Sequence, residues 1–298
     1  MADFSLKETL KIPLPSLTIL DVGAGTYGGE LPYRQLVEQE LAEVIGVEPN
    51  PAAFDSLCQA CEPHYHFLPY CLGRGGMATF HLTAMPQCSS IYLPNLDLIN
   101  QFIGISRPGE EEGPFSVREA VSIETEQLDD VIEPYRPDYI KLDTQGAELD
   151  ILMGAEKNLK NVLVIQTEVE FIPLYKNQPL FGDIQVFLRE QGFWFQKFID
   201  IQGRNFLPLV ADARGIKALS QALWADAIFV RDYSNLDNYS DEQLLKTSLI
   251  MHELYNSYDF VQWLLRAYDQ RQKTNLFERY LTTLTQSSLN FKYMNLVE

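Results

Sequence analysis

The apolar run Leu17-Thr18-Ile19-Leu20 ends in Asp21-Val22-Gly23-Ala24-Gly25, a buried strand delivered into a glycine turn. Glycine there lets the backbone approach a ligand where any Cβ would collide. About one strand–helix–strand unit later, Glu43-Val44-Ile45-Gly46-Val47-Glu48 gives a second strand closed by a carboxylate. Strands joined by helix-length crossovers form parallel sheets with helices on both faces, and ligands sit at the carboxyl ends where strand order reverses. The expectation is an α/β protein with a doubly wound, mostly parallel, Rossmann-like sheet.

The rest of the chain extends this alternation. Strands are expected at 17–24, 43–48, 65–72, 139–143 and 162–170, with helices at 29–40, 51–62, 147–159 and 184–190. Segments 193–200 and 225–231 both read as strands with no clear helix between them, which predicts a final antiparallel pair. Residues 73–125 interrupt the pattern with two alternating stretches, 77–83 and 116–125, around a loop-rich segment. Long ordered loops above a sheet commonly form a substrate wall. For Glu110, Glu111 and Glu112 within it, disorder is the expectation. From Asp241 the periodicity becomes helical, with Ser240 as a cap before an acidic first turn. The division expected is a domain over 1–233 and a helical C-terminal extension over 234–298, which packs on the sheet or forms a homodimer contact.

Charge narrows the partners. The 298 residues carry 23 Lys and Arg against 41 Asp and Glu, a net charge of −18, and such a surface repels phosphate backbones. Nucleic acid is not an expected partner. No apolar run is long enough for a membrane span, and the polar N-terminus is unlike a signal peptide, so a cytoplasmic protein is expected. Four cysteines are present, Cys58, Cys61, Cys71 and Cys88. Cys58-x-x-Cys61 followed by His64 and His66 admits a zinc site. Helical spacing instead puts Phe54, Leu57, Cys58 and Cys61 on one apolar face, and core packing is the reading preferred.

Two ligands suit the glycine turn. Gly23-Ala24-Gly25-Thr26-Tyr27-Gly28 satisfies the dinucleotide fingerprint. Asp21, two places before the first glycine, would repel a pyrophosphate and suits a cationic amine, such as that of the amino acid end of S-adenosylmethionine. Glu48 is placed to accept both ribose hydroxyls of an adenosine. The methyl donor is therefore the expected cofactor, with Asp21, Gly23, Ala24, Gly25, Glu48 and the adjacent Pro49 as its candidate contacts. Cys71 and Leu72 close the third strand and are added as adenine-edge contacts through backbone groups, with plain core packing as the alternative.

Catalytic candidates lie at the carboxyl ends of later strands. Asp143 could orient the acceptor, remove its proton or contact the donor's methionine portion, and Glu168 is a second candidate base if burial raises its pKa. The same carboxylates with Glu170 could instead hold magnesium. Glu148, in a first helical turn, is explained by the helix dipole. His81, alone in an alternating strand, reads as structural.

The segment Ile140-Lys141-Leu142-Asp143-Thr144-Gln145-Gly146-Ala147-Glu148-Leu149-Asp150-Ile151-Leu152-Met153-Gly154-Ala155 resembles the FkbM-type family of S-adenosylmethionine-dependent methyltransferases. Asp21-Val22-Gly23-Ala24, Ser89-Ser90, Glu126-Gln127-Leu128-Asp129-Asp130 and Glu168 are similar to further family features, so the likeness spans roughly 17–232. It departs in two places: Gly25 stands where the family usually has asparagine, and Gln145 where it usually has glutamate. An acid–base role for that glutamate is impossible here, although the amide could orient a substrate. The resemblance implies methyl transfer to a hydroxyl on a sugar, glycan or secondary metabolite. N-methylation of a peptide amide is the nearest alternative. An NAD-dependent oxidoreductase and a non-catalytic scaffold working through the helical extension are the others.

Overall fold

A computed structural model describes residues 4–24, 31–60, 62–105, 113–133, 135–211, 218–287 and 289. In chain order these form α1 (Leu6–Leu10), β1 (Leu17–Val22), α2 (Arg34–Glu38), β2 (Ala42–Val47), α3 (Pro51–Gln59), β3 (Tyr65–Leu68), β4 (Gly76–Thr83), α4 (Leu96–Ile99), β5 (Val117–Thr125), α5 (Leu128–Val131), β6 (Tyr139–Leu142) and α6 (Glu148–Met153). There follow β7 (Val164–Glu170), α7 (Phe181–Glu190), β8 (Phe193–Arg204), β9 (Gln221–Arg231), α8 (Asp241–Glu253), α9 (Tyr258–Gln272) and α10 (Leu276–Gln286).

Seven strands form one sheet in the order β3-β2-β1-β6-β7-β9-β8. The pairs β2–β3, β1–β6 and β6–β7 are parallel, while β9 runs antiparallel to both β7 and β8. The doubly wound Rossmann-like expectation holds, including the terminal antiparallel pair. Strand order reverses between β1 and β6, so their carboxyl ends form the switch point where such sheets bind ligands. The segment between β3 and β6 contributes a separate antiparallel ribbon, β4–β5.

Two compact units divide the chain, one from 18–28 and 44–232, the other from 1–17, 29–43 and 233–298. In the first, Leu20, Val22, Ile45, Val47, Ile140, Leu142 and Ile165 alternate onto a single buried face of the sheet. A satellite core joins Ile99, Phe102 and Ile105 of the insertion to Leu174, Tyr175 and Leu223.

Several elements are shorter than the sequence pattern predicts, for identifiable reasons. Pro69 has no N–H to continue β3, and beyond it only an isolated bridge, Leu72 to Glu126, resumes pairing. The helix expected over 147–159 stops at Met153 because Asp129 intercepts it. Asp129 N–H donates to the Gly154 carbonyl at 2.9 Å, and the Asp129 carboxylate accepts from the N–H groups of Lys157 and Asn158 at 2.8 and 2.9 Å. Of the helix expected over 29–40, residues 29 and 30 lie outside the described residues, and within 31–40 the helix forms at Arg34–Glu38, with Glu40 at φ +57° ending it. In α3 the half-buried positions are Ala53, Phe54 and Leu57. That face is rotated away from Cys58, which is exposed rather than packed in the core. Cys61 and Glu110–112 lie outside the described residues.

The second unit gathers the terminal helices. Ser240 and Gln243 form a reciprocal capping box at the start of α8, as its sequence signals. Leu6 N–H donates to Glu253 Oε1 at 2.8 Å, and Arg279 donates to the Leu10 carbonyl at 2.9 Å, which ties α1 to α8 and α10. His252 is fully buried between the Phe4 carbonyl, 2.6 Å from Nε2, and the Tyr280 hydroxyl, 2.9 Å from Nδ1. Among the described residues no helix is long and apolar enough to cross a membrane.

Burial lowers the His252 pKa to about 4, against a smaller opposing effect of the Phe4 carbonyl. The unfolded chain therefore binds a proton below about pH 6.5 that the folded chain refuses until about pH 4. This imidazole thus costs stability as pH falls through that window, by roughly 3 kcal/mol at most. The stability advantage of wild type over His252→Gln should shrink as pH falls from about 6.5 to about 4.5 in denaturant titrations. An advantage that stays constant with pH would show that His252 does not carry this linkage.

Candidate active site

One face of the sheet is polar across its middle. Asp21, Lys141 and Gln166 are lateral neighbours on β1, β6 and β7, and neighbours in parallel register point to the same face. Lys141 Nζ donates to Asp21 Oδ1 at 3.2 Å with both side chains largely enclosed. Burial pulls the Lys141 pKa down, but the carboxylates of Asp21, Asp143 and Asp226 outweigh it and the net shift is upward. Tyr139 OH donates to Gln166 Oε1 at 3.0 Å. The amine that the sequence assigns to Asp21 is therefore met, within the protein, by Lys141.

Two residues further toward the carboxyl ends, the same face turns anionic. Asp143 follows β6 and is exposed, Glu168 on β7 is half-buried, and Glu170 is buried. Asp226 on β9 lies directly opposite Glu168 in register. Burial, reinforced by Asp143, Glu170, Glu148 and Asp226, pushes the Glu168 carboxyl well above the usual carboxylate range. Burial and then Glu148 do the same to Glu170, whose Oε2 has no hydrogen-bond partner among the described residues. Asp226 is raised to about 6 by burial and then by Asp143.

Gln145 connects the two candidate catalytic carboxylates. Its Nε2 donates to Glu168 Oε2 at 2.8 Å and to Asp143 Oδ1 at 3.3 Å, while its Oε1 accepts from Tyr175 OH at 3.1 Å. The amide therefore aligns the protein's own carboxylates. Gln145 and Gly146 are both left-handed, with φ +58° and +98°. The insertion holds this turn: Ser90 Oγ donates to the Gln145 carbonyl at 2.7 Å, and Tyr175 OH also reaches the Cys88 carbonyl at 3.0 Å. Asp150 anchors the insertion further by pairing with Arg74 and Tyr92.

Glu148 does more than answer a helix dipole. It is buried and accepts from Thr144 N–H at 2.7 Å and from Thr144 Oγ1 at 3.0 Å, which ties α6 to the end of β6. Burial is the main reason its pKa rises to about 7. Among the described residues no group of three or more His, Cys, Asp or Glu side chains could hold a metal ion.

The candidate donor contacts flank this centre. Gly23 has φ +86°, and a Cβ on it would lie 2.2 Å from the Asp143 carbonyl oxygen, so only glycine fits. The N–H groups of Gly23 and Ala24 both donate to the Val47 carbonyl, at 3.0 and 3.2 Å. Their amides thus hold the turn to β2. Gly25 lies outside the described residues. Glu48 follows β2, is buried, and accepts from Asn50 N–H at 2.8 Å, while Pro49 beside it is exposed. Cys71 is half-buried, and burial followed by the charge of Glu48 raises its thiol to about 11. Its carbonyl accepts from Glu126 N–H at 2.8 Å, and the Leu72 side chain belongs to the hydrophobic core. Lys141, Tyr175 and Asp226 are not among the site residues expected from sequence. Asp226 had a signal, a lone charge in the apolar strand Leu223-Trp224-Ala225-Asp226-Ala227-Ile228.

A family model described as the methyltransferase FkbM domain matches residues 21–195. Among solved structures, the chain is similar to a methyltransferase FkbM from Methylobacillus flagellatus KT at 14% identity and a TM-score of 0.38; the match covers 72% of this chain and 43% of that one. It is also similar to a putative tRNA (m1A22) methyltransferase from Streptococcus pneumoniae, at 15% identity, TM-score 0.33 and 93% coverage of both chains. A TrmK from M. capricolum in complex with S-adenosyl-homocysteine matches at 10% identity and TM-score 0.31, over 94% of this chain and 96% of that one. Comparison with curated proteins gives no match.

Replacing Glu48 tests its placement at the end of β2. Glu48→Ala should weaken binding of S-adenosylhomocysteine by roughly 1.5–3 kcal/mol, as expected for loss of a charged hydrogen-bond partner. Calorimetry on a variant whose circular dichroism matches wild type reads this directly. Undiminished affinity would remove Glu48 from the cofactor site.

Proposed function

Since the chain belongs to the FkbM methyltransferase family, we propose that it methylates a hydroxyl on a sugar, glycan or secondary metabolite, with Glu168 as the base and Asp143 orienting the acceptor. Its cofactor is S-adenosylmethionine, which when bound supplies a methyl group on a cationic sulfonium. The residues present suit that group: a carboxylate, Glu48, at the end of β2, a glycine turn after β1 and an acidic strand end after β6. Asp21, paired with Lys141, acts in this reading by fixing the β1–β6 junction. Pro49, Cys71 and Leu72 complete the proposed adenosine side.

The observation that carries the reading is the placement of Glu168 on β7, in register with Asp226 and held at Oε2 by Gln145. Methyl transfer neutralises the sulfonium charge, so the protein mainly supplies proximity, orientation and removal of a proton from a poorly acidic hydroxyl. A carboxylate held above its ordinary pKa is a better proton acceptor once ionised, and Glu168 is raised by burial and four acidic neighbours. Among the described residues no hydrogen bond meets its Oε1, while Gln145 engages Oε2. Oε1 accepts the hydroxyl proton in this reading, and Asp143, exposed at the neighbouring strand end, accepts a hydrogen bond that aligns the acceptor. The ribbon β4–β5 of the insertion forms the acceptor wall in this reading. A homodimer through the C-terminal helices belongs to the same proposal and is tested by sedimentation equilibrium.

Incubating the protein with donor carrying a ¹³C methyl group and a panel of glycans, metabolites and peptides should place label in the methoxy region of the carbon spectrum. Label appearing in the N-methyl region would overturn the hydroxyl assignment in favour of an amide acceptor. With an accepting compound in hand, Glu168→Gln should cut turnover by about 10²–10⁴-fold while S-adenosylhomocysteine still binds. Full turnover in that variant would exclude Glu168 as the base.

A further inference from the structure

We infer that Gln145 is a positioning residue that tunes Glu168: its amide bridges Glu168 and Asp143 and leaves Glu168 Oε1 as the oxygen presented for proton transfer. A primary amide has two N–H donors and one acceptor oxygen. Here the donors serve Glu168 Oε2 and Asp143 Oδ1, and the Tyr175 hydroxyl, whose single proton is shared with the Cys88 carbonyl, lies 3.1 Å from the amide oxygen.

The backbone is shaped to the same end. A left-handed conformation is unfavourable for a residue with a Cβ, and such outliers persist where the surroundings over-determine them. At Gln145 the surroundings do so: Gly146 continues the left-handed turn, Ser90 Oγ holds the Gln145 carbonyl, and Gly146 packs against Gln178 closely enough that a Cβ there would lie 3.2 Å from Nε2. A capping or packing role would not require the side chain to span two carboxylates on adjacent strands.

The bridge matters because Glu168 has acidic neighbours on every packed element: Asp143 after β6, Glu148 on α6, Glu170 on β7 and Asp226 on β9. Cys88 of the insertion and Tyr175 also face it, and both are pushed up by burial first and by Glu168 among the lesser causes. The cation in this group, Lys141, is committed to Asp21. Gln145 is thus the donor that favours the ionised form of Glu168, and without it the carboxyl would hold its proton to higher pH.

This inference rests on the proposed reading only for the reaction that Glu168 serves, so its test uses no acceptor. Protein labelled with ¹³C at the glutamate side-chain carboxyls is titrated by NMR, with the Glu168 resonance identified by its loss in Glu168→Gln. Gln145→Gly removes the amide at a position where positive φ suits glycine, and Gln145→Glu replaces the donor with a further charge. The Glu168 midpoint should rise by about one pH unit or more in Gln145→Gly, a tenfold or greater gain in proton affinity, and further still in Gln145→Glu. S-adenosylhomocysteine affinity should stay at the wild-type value in both. A Glu168 midpoint in folded Gln145→Gly indistinguishable from wild type would overturn the inference, and that variant decides alone if Gln145→Glu does not fold. Full methyl transfer by Glu168→Gln would refute the base assignment while leaving the titration result standing.

Discussion

The contact between Gly23 and the Asp143 carbonyl oxygen, 2.2 Å from where a Cβ would lie, is the constraint on which the site depends. It brings the turn after β1 against the end of β6 at the point where strand order reverses. The same turn donates two main-chain hydrogen bonds to Val47, the last residue of β2. Three strand ends are thereby locked together, and each carries a functional group: the glycine turn, Glu48 and Asp143. Any side chain at position 23 would separate β1 from β6 and misplace the acidic end of β6 relative to the turn. Sub-ångström placement is what catalysis by proximity demands, and in the proposed reading this glycine serves chemistry as well as packing.

Along the polar face the chain solves an electrostatic problem. Deep in the sheet, charge is matched, with Lys141 on Asp21, and the Tyr139 hydroxyl bonds to Gln166. At the mouth it is left in excess, with Asp143, Glu168, Glu170 and Asp226 on adjacent strands. Excess negative charge in a partly buried place raises proton affinity, which suits a base but threatens to lock it in the protonated form. Gln145 moderates this by donating to two of the carboxylates. Thr144 does the same for Glu148, with both N–H and hydroxyl. The mouth is thus built from residues of opposite effect, and no single carboxylate accounts for it.

The fold and the outline of the candidate site are legible in the sequence because they rest on local signals. Alternating apolar runs, the glycine turn and the strand-end acids Glu48, Asp143 and Glu168 stand in sequence where the structure puts them, and the final antiparallel pair follows from the missing crossover. What escaped was set by long-range pairing. Nothing near Asp129 announces that its carboxylate will bond the N–H of Lys157, 28 residues later, just past the end of α6, and the pairing of Asp21 with Lys141 exists only once β1 and β6 are neighbours, 120 residues apart. The role of Gln145 was visible only as a departure from a family pattern. Its meaning needs Tyr175 and Ser90, which reach it from the segment after β7 and from the insertion. Cys58 was misread because helical spacing gives the set of faces a helix offers, while its neighbours decide which face is covered.

In the proposed reading the ends of β2, β1, β6 and β7 form one site, with cofactor on the Glu48 side and proton transfer on the Glu168 side. A crystal structure with S-adenosylhomocysteine tests it most directly. The account predicts ribose hydroxyls hydrogen-bonded to the Glu48 carboxylate and the sulfur turned toward the Asp143–Glu168 pair. A nucleoside bound elsewhere, or a sulfur facing away from Glu168, would contradict it.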